Sequence, residues 1–191
     1  AGVYHRSSDG GGRWEFRRQP PPNWPVRWDS FTFLVKPTGF GHMGLFPEHS
    51  CHWDWVTRQI QQPPAGANIL HLFAYTGAMT LLAARAGAEV CHVDAVADIN
   101  DWARQNAAAS GLSQAPVRWI TDDVSKFVAR EIRRGRKYDG VILDPPSYGK
   151  GPHGEKWILE EHLVKLLDML MQVVSDKPRF ALFTCHTLGF S

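Results

Sequence analysis

One short stretch of the chain, Asp-Pro-Pro-Ser-Tyr-Gly-Lys, combines groups that could hold a planar, hydrogen-bonding ligand. Its two prolines fix φ and remove two N–H groups, so the neighbouring carbonyls are presented rigidly beside a carboxylate. These acceptors suit the amine edge of a flipped or unpaired base, on which the tyrosine could stack while the lysine reaches a phosphate. A stiff turn with a solvated lysine is the alternative. The residues concerned are Asp144, Pro145, Pro146, Ser147, Tyr148 and Lys150.

Three more carboxylates follow apolar, strand-like runs elsewhere in the chain. Asp94 ends the run Glu-Val-Cys-His-Val-Asp, and Asp122 and Asp123 follow Val-Arg-Trp-Ile-Thr. A carboxylate at the first position can accept two hydrogen bonds from a ribose diol, and one at the second can accept from an adenine amine. Each acid taken singly could also cap a helix or face solvent. Their shared position at strand ends favours a common ligand site.

Strands and helices alternate regularly from Asn68 onward. The apolar spacing predicts strands at 68–73, 89–94, 117–120, 138–144 and 179–185, and helices at 77–87, 98–110, 123–134 and 156–175. Asp98 is the predicted N-cap of the second of these helices. This alternation predicts an α/β fold with a Rossmann-like, doubly wound parallel sheet. Ligands in such sheets bind beyond the carboxyl ends of the strands, near the point where the strand order reverses.

Residues 1–50 differ in style, because they are rich in Gly, Pro, Trp, Phe and Arg, and residues 1–40 hold six basic against three acidic side chains. We predict a small β-rich extension over residues 1–50, with strands at 13–18 and 30–36, and a second domain over residues 51–191 that opens with a helix at 51–62. The aromatic and basic side chains of the extension could contact RNA by stacking and phosphate pairing, or form a small β core with arginines on the wet face. They are Trp14, Phe16, Arg17, Arg18, Trp24, Arg27 and Trp28.

Composition excludes several classes of protein. The 191 residues are 43% hydrophobic with a formal charge of +2, and no apolar run is long enough to cross a membrane. The N-terminus lacks the pattern of a signal peptide. Three distant cysteines without a CxxC pair predict a reducing compartment, either the cytoplasm or an organellar matrix. The histidines His42, His49 and His52 have no partner at a recognisable ligand spacing, so we predict no metal site.

The turn after the first predicted parallel strand reads Leu-Phe-Ala-Tyr-Thr-Gly and lacks the GxGxxG pattern that a pyrophosphate needs. Together with Asp94, Thr-Asp-Asp-Val and Asp-Pro-Pro-Ser-Tyr-Gly-Lys-Gly, it resembles the class I S-adenosylmethionine-dependent methyltransferases. More narrowly, it is similar to the large-subunit ribosomal RNA cytosine-5 methyltransferases and their relatives, and Gly44–His49 resembles the segment that precedes the fold in that group. The resemblance implies S-adenosylmethionine as cofactor, with Phe73, Tyr75 and Gly77 lining its methionine and ribose side. It places Asp94 on the ribose hydroxyls, and Asp123 and Asp122 on the adenine. It also places Asp144 beside the cofactor, with Phe46 and Glu48 closing the pocket.

The same resemblance implies methylation of RNA, and of ribosomal RNA in particular, at cytosine carbon 5. That carbon is a poor nucleophile until a thiolate adds to carbon 6, and the resemblance makes Cys185 the candidate nucleophile. Its context, Thr-Cys-His-Thr, departs from the serine-flanked cysteine of the family, and a strand-end cysteine can be plain core. Methylation of an exocyclic nitrogen of guanine or adenine is the alternative, and a non-catalytic RNA- or ribosome-binding relative is another. The family usually ends in two further strands, so the terminal strands are expected to be missing.

Overall fold

The structure, a computed structural model, describes residues 2–7 and 11–186. A 3-10 turn at Pro47–His52 precedes the first helix. The helices are α1 (Trp53–Ile60), α2 (Ala78–Arg85), α3 (Ala97–Ala109), α4 (Val124–Arg133) and α5 (Leu159–Met171). The strands are β1 (Gly2–Arg6), β2 (Gly12–Phe16), β3 (Trp24–Trp28), β4 (Phe31–Val35), β5 (Asn68–Leu72), β6 (Glu89–Asp94), β7 (Val117–Thr121), β8 (Gly140–Leu143), β9 (Tyr148–Lys150), β10 (Lys156–Ile158) and β11 (Phe180–Phe183).

Five of the described strands form one parallel sheet in the order β11-β8-β5-β6-β7. The chain runs outward from β5 through β6 to β7, then returns to the other side of β5 with β8 and β11. The predicted Rossmann-like parallel sheet is therefore confirmed. The strand order reverses between β5 and β8, which is where such sheets bind their ligands.

The strand register brings four side chains to the same edge of the sheet. Leu72 lies opposite both Leu143 and Val93, and Leu143 lies opposite Phe183. The residues just past these positions therefore emerge together at the carboxyl edge, because parallel strands end in the same direction. They are Phe73, Asp94, Asp144 and Thr184.

Apolar side chains fill both faces of the parallel sheet. On one face, Phe33 and Trp53 pack with Leu81 of α2, and on the other Phe127 of α4 packs with Leu166 of α5. Burying each large side chain contributes roughly 1.5–3 kcal/mol. Helices on both faces hold the strands rigidly, so the carboxyl edge is a fixed platform. None of the helices in the described ranges has the length and apolar character needed to cross a lipid bilayer.

Side chains of α3 dock the free edge of β4. The Ser110 hydroxyl bonds the N–H and C=O of Thr32, the Asn106 carbonyl accepts from Leu34 N at 2.8 Å, and Trp102 Nε1 donates to Leu34 O at 2.7 Å. Trp102, Asn106 and the C-cap residue Ser110 are spaced four residues apart and therefore lie on one face of the helix, along the edge of β4. This docking joins the N-terminal strands to the helix that follows β6.

Aromatic residues of the N-terminal strands pack on one another and on the main core. Trp14 stacks on Phe16 with ring centroids 5.6 Å apart, and its Nε1 donates to Thr38 O at 2.9 Å. Trp28 meets Trp53 edge to face at 5.8 Å. Trp14 and Phe16 therefore pack within the N-terminal strands, whereas Trp28 contacts α1 at the main core. Contact of the arginines and aromatic residues of this segment with RNA stays a prediction.

Three local predictions were wrong. After Asp144, β9 and β10 pair into a hairpin with Gly149 opposite Trp157. The last helix therefore begins at Leu159 rather than at residue 156. Asp98 lies in the first turn of α3, whose N-cap is Val96. Residues 47–52 form a 3-10 turn, so the predicted helix at 51–62 begins at Trp53.

Two buried histidines share one hydroxyl beneath the carboxyl edge. Thr80 Oγ1 lies 2.7 Å from Nδ1 of His71 and 2.8 Å from Nδ1 of His92. A hydroxyl can donate to one of these nitrogens while it accepts from the N–H of the other, so the two rings take opposite tautomers. Burial lowers the pKa of His71 to about 3 and takes the pKa of His92 well below its usual value.

Because these two histidines stay neutral in the folded protein, we expect its free energy of unfolding to fall on acidification. The unfolded chain protonates both rings below about pH 6.5 while the folded chain does not, so the stabilisation is present above that pH and is lost as the pH falls toward the folded pKa. For His71 alone the loss is on the order of 3 kcal/mol at about pH 4. Urea unfolding at about pH 7, 5.5 and 4 measures it. The variant His71→Gln should flatten the pH dependence and the exposed His153→Gln should not; equal slopes in all three proteins would refute the assignment.

Candidate active site

A cavity of about 820 Å³ opens at the carboxyl edge of the sheet. Its size lies within the range typical of small-molecule and cofactor sites. Nearly all of the site residues predicted from the sequence contribute to its wall. They are Phe46, Phe73, Tyr75, Gly77, Asp94, Asp123, Asp144, Pro145, Pro146, Ser147, Tyr148 and Lys150.

The turn from β5 into α2 forms one wall through an unusual backbone. Phe73 and Tyr75 have φ of 52° and 48°, and Gly77 has φ of 85°. The left-handed region costs a non-glycine residue roughly 1–2 kcal/mol, so the surrounding bonds must hold the turn in place. Ala74 N donates to Val93 O at 3.1 Å, and Tyr75 N donates to Asp94 Oδ2 at 2.9 Å. The turn thus exposes backbone and aromatic side chains to the cavity.

Asp94 links this turn to the start of α3. Its Oδ2 accepts from Tyr75 N, and its Oδ1 accepts from Val96 N at 3.0 Å. Burial raises the pKa of the Asp94 carboxyl, and these backbone N–H groups act in the opposite direction. Each carboxylate oxygen has a second acceptor position, so the group can organise the loops and still bind hydroxyls.

The two acids after β7 point to different partners. Asp123 lines the cavity and caps α4, where its Oδ1 accepts from Lys126 N at 2.9 Å. Asp122 pairs instead with Arg130 of α4 and does not line the cavity. The assignment of Asp122 to the adenine stays a prediction, and the ion pair with Arg130 gives it no support.

Asp144 is the polar centre of the opposite wall. Thr184 Oγ1 donates to its Oδ1 at 2.7 Å, which fixes the carboxylate. His49 Nε2 lies 3.4 Å from Oδ2 and His186 Nε2 lies 3.6 Å from Oδ1. Burial lowers the pKa of His49, while the nearby Asp144 works against that shift.

The two prolines after Asp144 are held by the hairpin. Trp157 Nε1 donates to Pro146 O at 2.7 Å, and the Trp157 ring packs on Phe73 with centroids 4.8 Å apart. One lone pair of the Pro146 carbonyl is therefore already used. The acceptors that remain for a ligand centre on Asp144 and Pro145.

Exposed aromatic and basic groups stand at the mouth of the cavity. Tyr148 on β9 is 53% exposed, and Lys150 lies two residues further along. Phe40, which is 68% exposed, and Arg6 also line the cavity. Sequence reasoning missed Phe40 and Arg6, because only the folding of the N-terminal segment brings them to this site. Glu48 does not line the cavity, whereas Phe46 does.

Cys185 lies beside the cavity but does not line it. The residue follows Thr184 just past β11, next to the strand that carries Asp144, as its sequence position predicted. Its side chain is half-buried and packs against the apolar cluster beneath α5. The neighbouring His186 reaches the cavity instead.

Comparison with known proteins gives a consistent result. The family model described as S-adenosylmethionine-dependent methyltransferase matches residues 6–185. A ribosomal RNA large subunit methyltransferase K/L of Shewanella frigidimarina is 32% identical over 146 residues, covering 75% of this chain and 20% of that protein. A ribosomal RNA large subunit methyltransferase I of Aeromonas hydrophila is 36% identical over 86 residues, covering 44% of this chain and 22% of that protein. The chain spans about a fifth of the length of these two curated relatives.

Solved structures share the fold described above. The crystal structure of a SAM-dependent methyltransferase from Agrobacterium tumefaciens has a TM-score of 0.93 and 40% identity, covering all of this chain and 61% of that one. Another, described as a methyltransferase complexed with SAH, has a TM-score of 0.75 and 22% identity, covering 92% of this chain and 45% of that one. At that identity the second likeness concerns the fold alone.

Proposed function

The chain belongs to the family of S-adenosylmethionine-dependent methyltransferases, and we propose that it methylates a base of ribosomal RNA. The proposal rests on one observation: the turn after β5 lies at the same sheet edge as Asp144 and the two prolines that follow it. One wall of the cavity suits a nucleoside cofactor, and the other suits the amine edge of a base.

The residues present fit S-adenosylmethionine. Asp94 is a half-buried carboxylate one strand away from the turn, where it can accept from the ribose hydroxyls. Gly77 has positive φ, and a Cβ there would lie 3.2 Å from Cβ of Ala103, so only glycine fits without adjustment. Asp123 has an oxygen free of its helix cap for the adenine amine. When bound, the cofactor supplies an electrophilic methyl group.

The protein's own task is to align and desolvate the acceptor atom. Alignment alone can contribute several kcal/mol, because it removes the translational and rotational freedom of the reactants. The carboxylate of Asp144 would accept a hydrogen bond from a base amine and orient its lone pair. Trp157 supports this wall through Pro146 and Phe73, which keeps the acceptors from shifting.

An RNA base is the best-supported substrate. Tyr148 and Phe40 expose aromatic faces at the mouth, where a splayed base can stack, and Lys150 and Arg6 can meet phosphates. The relatives named above are ribosomal RNA methyltransferases, which supports the same substrate class.

Specific observations support two different atoms of the base as the methyl acceptor. An exocyclic nitrogen is favoured because, among the described residues that line the cavity, none is a cysteine. Cytosine carbon 5 is supported by Cys185, one residue beyond the Thr184 that bonds Asp144. We propose nitrogen as the acceptor, and the carbon-5 prediction as the alternative.

A mechanism-based trap separates these acceptors. The protein is incubated with S-adenosylmethionine and ribosomal RNA that contains 5-fluorocytosine, since fluorine blocks the step that would release a thiol adduct at carbon 6. With nitrogen as the acceptor, we expect no denaturant-stable protein–RNA band, and methyl transfer to ordinary RNA by Cys185→Ala within about twofold of wild type.

The opposite outcome is equally specific. A band that Cys185→Ala abolishes, and that the exposed Cys51→Ala retains, would establish carbon 5 as the acceptor and Cys185 as the nucleophile. Absence of methyl transfer to every ribosomal RNA tested, with the cofactor bound, would overturn the proposed substrate.

A further inference from the structure

We propose that His49, Asp144 and His186 form a three-ligand site for a divalent transition metal of the zinc class at the substrate end of the cavity. The inference goes beyond methyl transfer and does not depend on the RNA substrate proposed above. It also departs from the sequence-based prediction of no metal site.

The distances between the donor atoms carry the inference. His49 Nε2 and His186 Nε2 are 3.0 Å apart, and their distances to the nearer Asp144 oxygens are 3.4 and 3.6 Å. Donor atoms bonded to zinc at its usual lengths, on two corners of a tetrahedron, lie about 3.4 Å apart. One donor atom from each residue can be chosen so that all three lie within 4.8 Å of one another. The separations therefore already match those around a shared ion.

Hydrogen bonding alone does not account for this convergence. The distances from both imidazoles to Asp144 exceed the range of about 2.7–3.2 Å for good N–H···O hydrogen bonds. The Asp144 carboxylate takes its short hydrogen bond from Thr184 instead. The two Nε2 atoms can share one proton at 3.0 Å, but neither of them bonds Asp144 at a good hydrogen-bond distance. A cation in place of that proton would join all three donor groups.

The surroundings hold the three ligands in place. The ring of Phe46 stacks on those of His49 and His186, and the two imidazoles lie near-parallel at 17° with centroids 5.3 Å apart. Thr184 orients the carboxylate as an outer-shell partner would. Two imidazoles and one carboxylate suit zinc and its neighbours better than magnesium, which prefers oxygen ligands.

An ion held by these groups would be reachable from both solvent and the cavity. The side chain of His186 is 55% exposed, so an ion can enter without unfolding. All three residues line the cavity, and the fourth coordination position would face it. Water, or an oxygen or nitrogen atom of the substrate, would complete the shell there.

Metal titration of the apo protein tests the site. We expect one equivalent of Zn²⁺ to bind per chain by calorimetry, and Co²⁺ to give the intense visible absorption of a four-coordinate ion. Removal of a ligand in His49→Ala or His186→Ala should weaken Zn²⁺ binding by more than about a hundredfold, beyond the usual effect of an outer-shell partner. The matched control His153→Ala, on the exposed hairpin turn, should bind as wild type does.

The measurement needs neither RNA nor methyl transfer, so its failure is distinct from failure of the proposed function. Binding that is equal in wild type and in both ligand variants, with their folds verified by thermal unfolding, would mean that other histidines hold the metal. That result, or an absence of stoichiometric Zn²⁺ binding to the wild type, would overturn the proposal.

Discussion

Replacement of Asp144 by asparagine is expected to lower kcat/KM for methyl transfer by about a hundredfold or more. The substitution keeps the shape and the bond from Thr184 but removes the charge that would orient, and accept a proton from, the substrate amine. Groups in such roles contribute about 10²–10⁴-fold to rate. A radiolabelled methyl-transfer assay on ribosomal RNA measures the loss.

The control for this variant is Asp168→Asn, which removes an exposed carboxylate on α5 and should leave the rate unchanged. Binding of S-adenosylhomocysteine, measured by calorimetry in the same preparations, reports whether the cofactor wall survives. A rate for Asp144→Asn within about fivefold of wild type, at equal cofactor binding, would remove Asp144 from the chemistry.

Replacement of Asp94 by alanine is expected both to weaken cofactor binding strongly and to destabilise the fold. In Asp94→Ala the ribose loses its charged acceptor, and hydrogen bonds to charged groups contribute about 1.5–3 kcal/mol each. Two such bonds correspond to at least about a hundredfold weaker binding of S-adenosylhomocysteine. The variant also leaves the N–H groups of Tyr75 and Val96 without their acceptor, at about 1–3 kcal/mol each where they stay buried.

The two effects of this substitution are separable. Urea unfolding without cofactor measures the structural part, and calorimetry at a temperature where the variant is folded measures the binding part. The matched control is Asp98→Ala, which removes an exposed carboxylate four residues further along, in α3. This variant should change the cofactor affinity by no more than about threefold and should unfold in urea as wild type does. Unchanged cofactor affinity in Asp94→Ala would rule out its contact with the ribose.

The sequence predicted the sheet because its signals were local and periodic. Five apolar runs alternate with helical spacing, and the acids at Asp94 and Asp144 follow directly on two of those runs. Once strands are parallel, their carboxyl ends must share an edge, so the cavity followed from connectivity. The same reasoning put Cys185 beside Asp144 along the chain, but strand position does not determine which way the next side chain turns.

The parts that sequence reasoning missed depend on distant contacts. Lys156–Ile158 continues the apolar spacing of α5, yet pairing with Tyr148–Lys150 extends it into a strand. His49 and His186 stand 137 residues apart, so no spacing could have joined them. Asp98 has the side chain of a helix cap, but the bond from Val96 N to Asp94 starts the helix earlier.

The docking of β4 by Trp102, Asn106 and Ser110 also affects how the folded protein behaves among its own copies. An unpaired strand edge can template pairing with another chain and so promote aggregation. Here the outward-facing groups of Thr32 and Leu34 are taken by side chains, which cannot extend the sheet to a neighbour. On the other edge of this two-stranded sheet, Pro25 of β3 lacks an N–H to offer. Both edges of the β3–β4 sheet therefore disfavour pairing with a strand of another molecule.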